Sequence, residues 1–390
     1  MAIYLDYAAT TPMLPAAAEV MADICANVWG NPSSVHSAGL AARAAVERAR
    51  ELVLALLGAG RGDAGMLVFT GSGTEASNLA IFGVARSKRW KSRPAILTTD
   101  SEHPSVEEPL RALEREGYIV ERIPTKGGVL DFEALDEAIF KHKNIVLASF
   151  MLVNNETGAV YDVAKAFSMI KRVQPDAVTH CDAVQGFGKL SFTPSVLGAD
   201  LVTVSAHKLG GPKGAGALYI SKPVIVAKKI VPLVYGGGQE NGYRSGTENV
   251  AAIAGFGAAA EFHLSAGTRE RFCKATKPLL ELLEQNLPEG ARLNTPLGEH
   301  MPHIASITVP GIKSEVMLRY LSGRGIYVSS GSACSSRHRG ISRTLLAFGL
   351  SENEADCTIR VSFSDATGKD EILEFAAALR DGMASIAKIR

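Results

Sequence analysis

The sequence predicts an α/β protein built on an open, mostly parallel sheet. Three observations predict it: short apolar runs rich in β-branched residues, longer helical patterns alternating with them, and glycine and proline clusters just after some of the runs. Strands buried on both faces read as near-continuous apolar runs, and their alternation with helices is what crossover connections produce. In chain order, Met66–Thr70, Ala95–Thr99, Ile119–Ile123, Asn144–Phe150, Ala177–Cys181 and Asp200–Ser205 read as strands. Ala41–Leu57, Glu75–Ala85, Ser105–Glu116, Phe132–Phe140 and Ala164–Arg172 read as helices. Ligands of such sheets sit beyond the carboxyl ends of the strands. The glycine- and proline-rich stretches Leu209–Gly216 and Gly236–Gly246 therefore read as functional loops rather than linkers.

From about Gly257 the pattern changes. A long helical stretch runs to about Asn286, strand signals follow at Ile304–Val309 and Ile359–Phe363, and helices at Ser314–Ser322 and Asp370–Ile389. This reads as a second, smaller α/β layer. The expected division is a large domain over 13–256 and a small domain made of 1–12 and 257–390, because a dozen residues cannot form a domain alone.

Composition narrows the function classes. Hydrophobic residues are 46% of the 390, enough for a large core, and 41 Lys and Arg against 40 Asp and Glu leave a net charge of +1. That balance gives no global pull toward nucleic acid or an acidic membrane, so direct sequence-specific nucleic-acid binding is not expected. Cys25, Cys181, Cys273, Cys334 and Cys357 are scattered, with no C-x-x-C pair, which argues against a disulfide framework and a structural zinc site; no metal is expected. Met1 to Thr10 carries Asp6 and no basic run followed by an apolar one, which argues against a signal peptide. No uncharged apolar stretch reaches the ~18 residues of a membrane span. The expectation is a cytoplasmic chain of enzyme size.

Lys208 follows a strand in Ser205-Ala206-His207-Lys208 and precedes Gly210-Gly211-Pro212-Lys213-Gly214. The order is not that of a Walker P-loop. A lysine beside small donors after a buried strand suits a Schiff-base lysine with a phosphate close by. Asp182 ends another strand, as a helix N-cap or as the carboxylate that pyridoxal phosphate needs at its pyridine nitrogen. Gln185 could reach the same ligand. Gly71-Ser72-Gly73-Thr74-Glu75 opens a helix after a strand, as an anion site or a plain capping loop. His103 is structural or stacks on a cofactor ring, and Asn154 or Asn155 makes a turn or a contact. Cys334 lies in the small, polar run Ser329-Ser330-Gly331-Ser332-Ala333-Cys334-Ser335-Ser336, which reads as an exposed loop and makes it a nucleophile candidate. The other four cysteines sit in helical or strand patterns, where core packing is expected. Arg360, on an apolar strand, is an edge charge or a carboxylate clamp.

Taken together these residues resemble the pyridoxal-phosphate cysteine desulfurases with a long cysteine loop, in the class V aminotransferase family. The resemblance runs from Tyr4-Leu5-Asp6-Tyr7-Ala8-Ala9-Thr10-Thr11-Pro12 and Gly30-Asn31-Pro32-Ser33-Ser34-Val35-His36 through the Thr74 loop, Glu102-His103, Asn154-Asn155-Glu156, Asp182 and Ser205 to Lys208. It continues through Gly236-Gly237-Gly238-Gln239-Glu240 and Arg244-Ser245-Gly246-Thr247 to the Cys334 loop and Arg360.

The resemblance implies the aspartate-aminotransferase-like fold, pyridoxal 5′-phosphate as cofactor and L-cysteine as substrate. It implies that Lys208 carries the cofactor, His103 stacks on its ring and moves protons, Asp182 pairs with its ring nitrogen and Gln185 with its ring oxygen. Thr74, Ser205 and His207 would bind the phosphate, and Thr247 the partner subunit's phosphate in a homodimer. Asn155 and Arg360 would hold the substrate carboxylate. Cys334, on a loop of about 329–343, would take sulfur as a persulfide and pass it to an acceptor protein. Leu152, Asn241 and the basic run Arg337, His338, Arg339 and Arg343 depart from the family pattern, and the tail that docks the iron–sulfur scaffold is short. The departures leave the acceptor open; the basic run reads as a solvated helix face or as a steering patch for an acidic partner or a protein–tRNA complex, and with the short tail it favours a rhodanese-type acceptor in tRNA thiolation over that scaffold. Selenocysteine lysis, another lyase reaction or transamination on the same fold, and a catalytically silent binding scaffold, are the alternatives.

Overall fold

In the computed structural model, which describes residues 2–59, 65–88, 93–265, 268–331 and 341–386, seven strands form the central sheet. Their spatial order is Met66–Thr70, Gly216–Ile220, Leu201–Ser205, Val178–Asp182, Ile145–Met151, Ala95–Thr99 and Ile119–Ile123. All run parallel except Gly216–Ile220, which is antiparallel to both neighbours. That strand is absent from the sequence reading, where its first glycine closes the cluster after Lys208.

Alternation along each strand splits the side chains between two cores. Leu67, Phe69, Leu97, Val202, Val204 and Tyr219 face a core shared with the helices Ser37–Leu57, Val163–Val173 and Val250–Leu264. Val68, Ile96, Leu201, Leu218 and Ile220 face a second core with the helices Gly73–Ala85 and Pro104–Arg115. Burial on both faces is why these strands read as unbroken apolar runs. The parallel strands all point their carboxyl ends to one edge, and the connecting loops there carry the chemistry.

A third core belongs to the antiparallel sheet Ser329–Ser330, Thr358–Ser362, Ile304–Thr308 and Arg292–Leu293, covered by Thr268–Asn286, Ser314–Ser322 and Lys369–Ser385. Arg360 lies on the strand paired on both sides, opposite Ser306 and Ser329, so it is not an edge charge. The helical stretch expected from Gly257 to Asn286 is two helices, Val250–Leu264 and Thr268–Asn286. The first ends at Ser265, whose φ of −55° and ψ of 140° are extended. Ala259 and Ala260 on it belong to the first core.

Residues 2–11 tie the antiparallel sheet to the central one. Ile3–Tyr4 pairs with Ile326–Tyr327, Ser362 N–H donates to Leu5 O at 2.8 Å, and Thr11 N–H donates to His207 O at 3.0 Å. The segment thus crosses the cleft between the strand of Arg360 and the turn of Lys208. Cys181 and Cys357 are buried as expected and Cys273 is half-buried, but Cys25 is exposed, its helix burying Ala17 and Ile24 instead. Among the described residues no helix is long and apolar enough to cross a membrane, and no group of His, Cys, Asp and Glu could hold a metal ion.

Candidate active site

One cavity of about 350 Å³ lies at the carboxyl edge of the central sheet, lined by Thr74, His103, Asn155, Asp182, Gln185, Ser205, His207, Lys208 and Arg360 among others. Nine of the eleven residues singled out in the sequence meet there. Cys334 lies outside the described residues, as do Arg337, His338 and Arg339. Thr247 is exposed and lines a separate cavity of about 150 Å³ with Gly71, Gly214 and Arg244.

Lys208 ends a single 3₁₀ turn, Ala206–Lys208, directly after the strand Leu201–Ser205. Its amine donates to the Ala8 carbonyl and, at 2.6 Å, to the Ala9 carbonyl. The Gln185 amide donates to the same Ala8 carbonyl at 2.9 Å. The chain then returns as Gly216–Ile220 beside the turn of Ser72. A Cβ on Gly216 would lie 2.4 Å from the Ser72 carbonyl carbon, so only glycine lets the two loops meet.

Asp182 is buried at the end of its strand, where Oδ1 accepts the Val184 N–H at 3.0 Å. Burial pushes its carboxyl up to about 6, against the Val184 bond and the Lys208 cation, which lower it. The turn of Ser72 opens the helix Gly73–Ala85. Ser72 Oγ accepts the Glu75 N–H at 3.1 Å and Glu75 Oε2 accepts the Gly71 N–H at 2.8 Å, while Thr74 is left exposed to the cavity. The Thr74 loop therefore both caps its helix and faces the site.

His103 also has both roles. It caps the helix Pro104–Arg115, with Nδ1 accepting the Ser105 N–H at 3.1 Å, and it lines the cavity. Burial first, then the Lys208 and Arg360 cations, push it down to about 4. The ring is neutral at pH 7, and its accepting Nδ1 leaves the proton on Nε2. His207 is likewise pressed down to about 4, chiefly by burial and then by Lys208.

The turn after Ile145–Met151 is built by Asn154, whose Oδ1 accepts the N–H groups of Glu156 and Thr157, each at 2.9 Å. This presents Asn155 to the cavity. Arg360 Nη1 donates to Asn155 O at 2.9 Å, and Nη2 donates to Asp6 Oδ1 at 2.8 Å. Leu152, a departure noted in the sequence, is buried against Gly186, while its neighbours Met151 and Val153 line the cavity. Asn241 holds a positive φ of 54° after Glu240, which pairs with Arg50 through two bonds of 2.8 and 3.0 Å. Asn is among the residues that best tolerate that region. Arg343, grouped in the sequence with the basic run after Cys334, pairs with the carboxylate of Glu107, which also takes Arg111 and Arg122.

Sequence reasoning did not single out Asp6, Ala8 and Ala9, which line the cavity, or the buried carboxyls Glu102 and Glu156. The quoted N-terminal run contained the first three, but two of them act through backbone carbonyls, which no residue type announces.

Residues 3–375 match the family described as aminotransferase class-V. The chain is 36% identical over 373 residues to the cysteine desulfurase IscS of Dictyoglomus turgidum, covering 95% of this chain and 91% of that protein. The solved structure of a NifS-like protein superposes with a TM-score of 0.89 at 33% identity, covering 99% of this chain and all of that one. A structure described as SspA in complex with cysteine superposes with a TM-score of 0.78 at 30% identity over 94% of this chain and all of that one.

Proposed function

The chain belongs to the aminotransferase class-V family, whose members use pyridoxal 5′-phosphate, and on that premise we propose that it is a cysteine desulfurase. It takes sulfur from L-cysteine onto Cys334 as a persulfide and releases L-alanine. The observation that carries this reading is the convergence of Lys208, Asp182 and Arg360 on one cavity of about 350 Å³.

The residues present fit the cofactor. Gln185 Oε1 and Ser205 Oγ are buried without a partner among the described residues, and a buried polar atom of that kind calls for a ligand group or water. We assign Lys208 to the cofactor's aldehyde carbon, Asp182 to its ring nitrogen and Gln185 to its ring oxygen. Thr74, Ser205 and His207, with the N–H groups opening the helix Gly73–Ala85, would bind its phosphate. When bound, pyridoxal phosphate supplies an electron sink for bonds broken at the substrate's α-carbon.

In this reading Arg360 and Asn155 would bind the α-carboxylate of cysteine, and neutral His103, which lines the same cavity, would hold the cofactor and serve in proton transfer. Lys208 Nζ, beside the cavity, would serve as the base that takes the α-proton of the substrate. The Cys334 thiolate attacks the substrate sulfur: an S–S bond forms, the Cβ–S bond breaks, and its electron pair stays with the substrate carbon, which takes a proton to become the alanine methyl. The sulfur is thereby oxidised and the carbon reduced by the same two electrons.

We further propose a homodimer in which Thr247 reaches the partner's phosphate, because Thr247 is exposed and outside its own chain's Lys208 cavity. Exposed Trp29, Val35 and Tyr235 supply apolar surface for such contact. The large domain in this scheme is 13–256 and the small one 1–12 with 257–390, acting in the cytoplasm. The acceptor we favour is a rhodanese-type protein of tRNA thiolation, with the iron–sulfur scaffold as the other candidate.

The test is a visible spectrum and product assay of the purified protein with L-cysteine. Parent enzyme should form alanine and a persulfide on Cys334. Cys334→Ser should keep the spectral response and lose alanine, and Lys208→Ala should lose the cofactor that borohydride fixes covalently. Undiminished alanine from Cys334→Ser would remove the persulfide mechanism.

A further inference from the structure

Four buried polar side chains form a hydrogen-bonded row behind the Lys208 cavity. Ser149 Oγ and His180 Nδ1 lie 2.8 Å apart, His180 Nε2 and Thr203 Oγ1 lie 2.9 Å apart, and Ser77 Oγ donates to Thr203 Oγ1 at 3.4 Å. All four are fully buried, and none lines the cavity. Burial holds the His180 imidazole down at about 3, so the ring is neutral at pH 7, with one nitrogen donating and the other accepting. Both ring nitrogens have a partner in the row.

Each member stands just behind a residue of the site on its own element. Side chains two apart on a strand share a face. Ser149 is followed on its face by Met151, His180 by Asp182 and Thr203 by Ser205, and those three line the cavity. Ser77 lies one helical turn beyond Gly73 and Thr74, which line it too. Across the strands, Ser149 is in register with His180, and Thr203 with Asp182. Farther from the site the same face turns apolar, with Leu147, Val178 and Leu201 in one core.

Stability alone does not call for such a row. Replacing buried hydrogen-bonded partners together by apolar groups of the same shape can be nearly neutral or stabilising. A satisfied polar network does what an apolar layer does not, because its directional bonds specify one arrangement of the elements that it joins. The elements joined here carry Asp182, Ser205 and the turn of Thr74, the groups assigned above to the cofactor's ring nitrogen and phosphate.

We propose that His180 is a positioning residue for the cofactor: by bridging Ser149 to Thr203 it fixes the strand end of Asp182 against that of Ser205 and, through Ser77, against the helix that Thr74 opens. This rests on the cofactor assignment above. His180 does not line the cavity, so it acts through Asp182 and Ser205.

The experiment measures the equilibrium affinity of the cofactor-free protein for pyridoxal 5′-phosphate, together with the thermal unfolding midpoint of the same samples. Thr203→Val, which keeps the shape and removes the hydroxyl, should weaken that affinity ~10-fold and lower the midpoint, since His180 Nε2 loses its partner. Thr203→Ser, which keeps the hydroxyl, should restore the affinity. The triple variant Ser149→Ala, His180→Leu, Thr203→Val makes the row apolar; it should regain most of the midpoint while its affinity stays ~10-fold weak. Affinity that recovers along with the midpoint overturns the proposal, because the row then supports the fold and nothing more. Parental affinity in Thr203→Val, or failure of Thr203→Ser to restore it, does the same, and this pair decides alone where the triple variant does not fold. A parent affinity untouched by Asp182→Asn and by Ser205→Ala overturns the cofactor assignment itself, and this proposal with it.

Discussion

Arg360 and Asp6 form an ion pair at 2.8 Å, with side chains only 5% and 17% exposed. Asp6 also accepts the Ser329 hydroxyl, so the guanidinium is held from two directions before any substrate arrives. Its Nε is buried without a partner among the described residues. A fixed fork with a donor to spare suits a carboxylate, and a lysine cannot reproduce it.

The expected outcome is that Arg360→Lys raises KM for L-cysteine ~10–100-fold, in line with the roughly 1.5–3 kcal/mol of a hydrogen bond to a charged group. Cofactor loading should be unchanged, since Arg360 is not among the groups assigned to it. Steady-state kinetics and the spectrum of the loaded protein check this together. An unaltered KM would take Arg360 out of substrate binding.

Legibility in the sequence followed the kind of interaction. The strands Met66–Thr70, Ala95–Thr99 and Ile119–Ile123 match the reading residue for residue; in the first two, burial on both faces writes itself as an apolar run. Gly216–Ile220 escaped because its first residue is the glycine that the Ser72 turn requires, so it read as loop. Lys208 and Asp182 were legible because each chemistry needs a particular residue type at a strand end. Arg360 was left between edge and clamp because strand order is a tertiary fact. Glu102 and Glu156 stood in quoted runs without a reading of their own, and only the packing around them shows they are buried.

Glu102 gives the cofactor-free protein a distinctive dependence on pH. Its Oε1 accepts Thr99 Oγ1–H at 2.7 Å and Met151 N–H at 2.9 Å, while Oε2 is buried without a partner among the described residues. Burial dominates and pushes the carboxyl from 4.5 up to about 8. The folded state therefore keeps a proton that the unfolded chain has already lost. This contribution to stability is full below pH 4.5 and is lost as pH rises through about 8, at up to about 1.4 kcal/mol per pH unit. Asp182 and Glu156 add the same sign over narrower windows, ending near 6 and 7. Denaturation midpoints of the cofactor-free protein should fall between pH 5 and 8, and Glu102→Gln should flatten that fall. Parallel curves for parent and variant would place the proton elsewhere.

Thr247 separates a subunit-bridging site from a self-contained one. It is exposed, beside Arg244 and Gly71 and away from Thr74 and Ser205 in the Lys208 cavity. If it serves the partner's phosphate, Thr247→Ala should weaken cofactor retention severalfold while leaving Lys208 able to bind it covalently. Light scattering should give the parent twice the mass of one chain. A monomer that retains cofactor at full strength would rule the bridging role out.

The last prediction concerns the acceptor, where Arg337, His338 and Arg339 follow Cys334 closely in a chain of net charge +1. Arg343 is no longer part of this cluster, since its guanidinium is committed to Glu107. A local patch of one sign can raise encounter rates with an oppositely charged partner even when the whole molecule is near neutral. Such steering acts through solvent and fades as salt shortens the screening length to about 10 Å at 0.1 M. Transfer of sulfur from persulfidated enzyme to its acceptor should therefore slow with added salt, and Arg337→Glu with Arg339→Glu should slow it further at low salt. Cysteine turnover driven by a small neutral thiol reductant should stay at the parental rate, because that reductant feels no steering. Equal transfer rates for parent and double variant at low salt would return these residues to an ordinary solvated surface.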